Sequence, residues 1–248
     1  MIDSSIDQSH SVFRNSRISE SLFTPRGFDR TSQHGTAIAS ILVGSSETYN
    51  GMSPASNLYN GVVFATDEFG REFSTTASIV RAINWLAENN VRLINMSLAG
   101  PDNAILRRAI GSACARGITL VTAAGNAGPA SPPLFPAAYD CTIAVTAVDN
   151  DGAPYHRANR GKHIDYALPG INIRHAAEEG TFRESSGTSF AAALLSGLIS
   201  TRLPTTLGQV SEVKVRLNAL ATDLGQPGHD PVYGQGAIYS PSTARTSY

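Results

Sequence analysis

The chain has 248 residues, 42% of them hydrophobic and 16% charged, with a formal net charge of −1. This composition suits one large globular domain or two small ones and excludes a disordered chain. The balanced charge leaves no electrostatic footprint for nucleic acid or an anionic membrane. The longest apolar run, residues 190–199, is too short to span a bilayer. Taken in chain order, Met1-Ile2-Asp3 reads as the end of a strand, which sets the expectation of further chain upstream. A helix is predicted over 35–43 and a strand over 57–64. Ser74, Thr75 and Thr76 offer caps for a helix running to about Asn90, with Ile79, Ile83 and Leu86 at helical spacing. A buried strand over 91–96 precedes a helix capped by Asp102 or Asn103 and closed by Gly117. Residues 118–123 and 141–148 read as β-branched strands. Asp149-Asn150-Asp151-Gly152 reads as a turn rather than a calcium loop, since no glutamate follows at the required spacing. Short strands are predicted over 165–168 and 171–174, and helices over 190–199 and 210–221. Residues 240–248 form a polar tail. The strand–helix alternation predicts an α/β fold, with helices on both faces of a mostly parallel sheet and no internal domain boundary within 1–239.

Cys114 and Cys141 match no zinc pattern, and no HExxH occurs; a disulfide and two buried thiols are both open. Three other segments carry reactive side chains. Asp3 ends a strand, His34 opens a helix in His34-Gly35-Thr36, and Ser189 opens another after Gly187-Thr188. A helix start favours negative charge developing beside it. Serine is a poor nucleophile at neutral pH; an imidazole takes its proton, and a buried carboxylate orients the imidazole and stabilises its cation. Asn126, after the apolar run ending Ala123-Ala124-Gly125, supplies an amide that can donate to an oxyanion. The other histidines, His10, His156, His163, His175 and His229, lie in no comparable motif and are expected at solvated or loop positions.

These segments together resemble the catalytic domain of the subtilisin-like serine proteases, the subtilases. His34-Gly35-Thr36, Asn95 to Pro101, Ala123 to Gly128, Gly187-Thr188-Ser189 and Tyr233-Gly234-Gln235-Gly236 resemble that family's motifs in its order, and Asp…His…Ser is the subtilisin order. The resemblance implies a three-layer α/β/α fold and a serine endopeptidase acting through an acyl-enzyme. Asp3, His34 and Ser189 would form the triad, with Asn126 as oxyanion donor. Ser97, Leu98, Ala99 and Gly100 would pair with a peptide or protein substrate. With Ala124 and Gly125 they would wall its specificity pocket, with Leu134 near the floor. The pocket's small or apolar lining implies an apolar residue before the scissile bond. Asp67 to Arg71 would lie at the opposite edge of the cleft. No cofactor is implied, and the short 44–50 loop implies no calcium there. A prodomain or upstream segment is an implied partner, and an extracellular or periplasmic location follows by analogy. The family's glycine after Asp-Ser is Ser5 here, and a strand cut so short before Asp3 is expected to hold it loosely. The alternatives are a pseudoprotease that only binds peptides, a peptide ligase or macrocyclase on the same scaffold, and another serine hydrolase. The intact reactive set argues against the first, the lack of a long insertion against the second, and the lack of a Gly-x-Ser-x-Gly elbow against the third.

Overall fold

A computed structural model describes residues 1–203 and 208–239. The polar tail predicted over 240–248 lies outside the described residues. The chain runs β1 (Ile2–Asp3), β2 (Arg17–Leu22), β3 (Asp29–Arg30), α1 (Gln33–Val43), β4 (Ser45–Ser46), β5 (Tyr49–Asn50), β6 (Asn57–Val62), β7 (Ala65–Thr66), β8 (Glu72–Phe73) and α2 (Thr76–Glu88). It continues through β9 (Leu93–Met96), α3 (Ala104–Ala115), β10 (Thr119–Ala123), β11 (Ile143–Val148), β12 (Tyr166–Pro169), β13 (Ile173–Ala176), β14 (Phe182–Ser185), α4 (Thr188–Arg202) and α5 (Val210–Asn218). Seven strands pair in parallel in the order β12-β11-β10-β9-β1-β6-β2.

Side chains alternate across a strand, and this alternation builds three layers. On β10, Leu120 joins the core under α2 and α3, where Ile79, Ile83, Leu86, Leu106 and Ile110 are buried. Its neighbours Val121 and Ala123 join the core under α4 and α5, with Leu195, Ile199, Val213 and Leu217. On β1, Ile2 faces α2 and α3 while Met1 packs with α1. Asp3 shares the Met1 face by the same alternation, so its carboxylate points toward α1. It is fully buried between β6 and β9, with Asp3 in register with Val62 and Ile2 with both Gly61 and Met96. The short strand therefore buries Asp3 completely.

Helix starts follow their caps. Thr75, of the three candidates, accepts from the Ser78 N–H, and Asn103 accepts from the N–H groups of Ile105 and Leu106. Asp149 accepts from the N–H groups of Asp151 and Ala153, as a turn residue does. β2 carries no sequence signature because it is an edge strand with no buried residue, which leaves no apolar run. β14 was missed for the same reason, and β13, its antiparallel partner, starts later than expected. Cys114 and Cys141 form a disulfide that ties the end of α3 to the turn before β11.

Candidate active site

The candidate residues gather at the carboxyl ends of the central strands, where open parallel sheets form their binding crevices. The His34 Nδ1–H donates to Asp3 Oδ1 at 2.7 Å, and the Ser4 N–H donates to the same oxygen at 2.7 Å. The approach depends on Gly35. A Cβ there would lie 2.3 Å from the Ser4 carbonyl oxygen, so only glycine lets the start of α1 press on the loop after Asp3. The Gly35 N–H in turn donates to Ser4 Oγ at 2.7 Å. Ser5 keeps an ordinary negative φ, so the serine in place of the family's glycine carries no left-handed strain. Burial pulls the His34 pKa down, but the Asp3 charge and hydrogen bond, with the Glu72 charge, outweigh it and raise the pKa above its usual 6.5. One third of the His34 side chain stays exposed, while Asp3 has no exposed side-chain surface.

His34 and Ser189 each occupy the second position of their helices, α1 and α4, which pack against one another. His175 connects the two starts: it stacks on Phe190 at 5.3 Å and feels the charge of His34. The Ser189 Oγ–H donates to the Ser97 carbonyl at 3.4 Å, and His34 and Ser189 make no hydrogen bond with each other. Gly187 caps α4 without a side chain. Asn126 does that work from a distance: its Oδ1 accepts from the Thr188 N–H at 3.0 Å and the Thr188 hydroxyl at 3.1 Å. With Oδ1 committed, Nδ2 is the end of the amide left to donate. Thr188 Oγ1 also accepts from the Gly125 N–H at 3.1 Å.

Gly125, at φ +107°, leaves space that Leu134 fills; a Cβ there would meet Leu134 Cδ1 at 2.7 Å. Asn159, fully buried, braces the same loop by accepting from Ala127 N–H and donating to the Pro132 carbonyl. Ala124 is buried behind it. Of the predicted substrate edge, Ser97 and Leu98 are buried and Ala99 is exposed. Gly100 spends both its main-chain groups on Phe135, at 2.8 and 2.9 Å, which narrows the free edge to residues 97–99. Asp67 to Arg71 form the hairpin turn between β7 and β8, closed by the Asp67 carboxylate on Arg71. Two histidines depart from expectation. His10 and His175 are buried, because each finds partners for both ring nitrogens: His10 with Val12 and Thr181, His175 with Ala176 and Ser185. Thr188, Ser4, Asn159 and Glu72 were not singled out as site residues. Thr188 and Ser4 carry a signal, their places inside the Gly187-Thr188-Ser189 and Asp3-Ser4-Ser5 motifs. No three His, Cys, Asp or Glu side chains converge among the described residues.

A parallel α/β/α sandwich thus presents a buried carboxylate, an imidazole, a helix-start serine and an oriented amide at its strand ends, the groups that serine hydrolases use. A model of the subtilase family matches residues 1–236. Subtilisin DY of Bacillus licheniformis is 33% identical over 214 residues, covering 83% of this chain and 75% of that protein. Subtilisin amylosacchariticus of Bacillus subtilis subsp. amylosacchariticus is 33% identical over 250 residues, covering 96% of this chain. The chain spans 63% of that relative's length. Among solved structures, the prenylagaramide maturation protease PagA superposes with a TM-score of 0.82 at 26% identity, over 96% of this chain and 88% of that one. The chain belongs to the subtilase family of serine peptidases.

Proposed function

We propose that the chain is a serine endopeptidase with Asp3, His34 and Ser189 as its triad. An extended substrate pairs with the edge at residues 97–99. Ser189 Oγ turns from the Ser97 carbonyl toward His34, gives it the proton, and attacks the substrate carbonyl carbon. Contacts of this kind are often long before substrate binds. Asp3 stabilises the imidazolium, and the oxyanion accepts from Asn126 Nδ2 and the Ser189 N–H. His34 then protonates the leaving amine, and water resolves the acyl-enzyme by the same path. The observation that carries this reading is the pairing of the 2.7 Å Asp3–His34 bond with an Asn126 amide oriented by the nucleophile's own helix.

The residue before the scissile bond enters between Leu98–Gly100 and Ala124–Gly125. Leu134 closes that space, which favours a small apolar side chain. The disulfide supports an oxidising, extracellular or periplasmic location. A fluorophosphonate probe should label the protein and fail on Ser189→Ala. For each bond cleaved, the two product peptides should together exceed the substrate by one water; cyclic or ligated products would mean aminolysis instead, and absence of labelling would leave only a peptide-binding domain.

A further inference from the structure

Ser196 interrupts the apolar run of α4, two turns beyond Ser189, and is buried to 2% exposure. Its Oγ–H is shared between Asn95 Oδ1 at 3.0 Å and the Ala192 carbonyl at 2.9 Å. Asn95, 3% exposed on β9, turns its Nδ2 to Ser97 Oγ at 2.9 Å. The Ser97 Oγ–H then donates to the Ser189 main-chain carbonyl at 3.0 Å. The line of bonds leaves α4 at Ser196, crosses to β9, and returns to α4 at the nucleophile.

A hydroxyl has one proton to give, and an amide has one accepting end. With Ser196 present, Asn95 Oδ1 has its own donor and the Ser97 proton is free for Ser189. Without it, Oδ1 is a buried acceptor whose nearest remaining donor is Ser97, reached by turning the amide over. That diverts the proton from the Ser189 carbonyl and releases the main chain from which Ser189 attacks. We infer that Ser196 is a positioning residue for the nucleophile, acting through Asn95 and Ser97. The inference rests on the reading of Ser189 as the nucleophile.

Ser196→Thr and Ser196→Val place side chains of nearly equal size that differ by the hydroxyl. Ser196→Thr should keep the parent kcat, and Ser196→Val should lose about threefold to tenfold in kcat with KM unchanged. Should valine not fit, Ser196→Ala should show the same loss, and parent kcat in it would overturn the inference. Ser97→Ala should reproduce the loss, and the Ser97→Ala/Ser196→Val pair should be no worse than Ser97→Ala alone. Equal kcat for the threonine and valine variants, or losses that multiply in the pair, would overturn it. Fluorophosphonate labelling of the parent separates the two levels. An unlabelled parent overturns the nucleophile reading and this one with it, whereas a labelled parent with equal variants overturns this one alone.

Discussion

Thr188→Val removes one hydroxyl and little else. That hydroxyl accepts from the buried Gly125 N–H and donates to Asn126 Oδ1, both at 3.1 Å. Valine leaves the Gly125 N–H without a partner, which costs about 1–3 kcal/mol. At about 2–4 °C per kcal/mol for a domain of this size, a loss near 2 kcal/mol lowers Tm by about 4–8 °C. Asn126 keeps the second tether, the Thr188 N–H at 3.0 Å, so its amide loosens without being released. The catalytic loss should therefore fall well short of that for Asn126→Ala, where about 10²–10³ in kcat is the effect established for a subtilisin's own oxyanion asparagine. A loss near tenfold in kcat, with KM unchanged, is expected for Thr188→Val. Differential scanning calorimetry and steady-state kinetics on a peptide substrate would measure both, with Thr188→Ser as the control that keeps the hydroxyl. Parent kcat in Thr188→Val, or an equal loss in Thr188→Ser, would refute the assignment of Asn126's orientation to this hydroxyl.

Further outcomes follow from the site and its frame. His34 must be neutral to accept the proton, and its pKa is raised, so activity should fall as pH drops through a value above 6.5. Glu72→Gln should move this limb of the kcat/KM profile to lower pH; an unmoved limb would remove Glu72 from the account. The same raised pKa makes His34's contribution to stability complete below its unfolded value and lost as pH rises through the folded one. Reducing the disulfide, whose cysteines are 27 residues apart, should cost about 3.5 kcal/mol by loop entropy; denaturant midpoints with and without reductant would show it, and coincident midpoints would contradict it. Leu134→Gly should open the space beside Gly125 and extend cleavage to Phe and Tyr before the scissile bond, read by product sequencing of a peptide library.

Most of the sheet was legible because its central strands are buried on both faces and read as apolar runs, as over Thr119–Ala123 and Ile143–Val148. The longer strands that escaped, Arg17–Leu22 and Phe182–Ser185, have no buried residue and carry no such run, and the two-residue strands β3, β4, β5, β7 and β8 are too short to show one. At the site, Asp3, His34, Asn126 and Ser189 were legible because each sits in a short motif beside a helix or strand end. Of the residues that hold them, Thr188 and Ser4 show only as motif members, and Asn159 and Ser196 not at all. Thr188, Asn159 and Ser196 act through hydrogen bonds to segments distant in sequence, and a polar side chain that bonds across the fold has no local periodicity. Burial of His175 and His10 was illegible in part for the same reason, since one partner of each, Ser185 and Thr181, lies on another strand or turn.

The tether between Asn126 and Thr188 divides the site into two mechanical bodies. The amide rides on the loop after β10 and the nucleophile on α4, and the tether joins the two as one side of the proposed site. Asp3 and His34 ride on the other body, welded by Ser4 and Gly35. The seam between the two bodies, from the imidazole to the hydroxyl, is the place where the resting protein leaves a bond unmade.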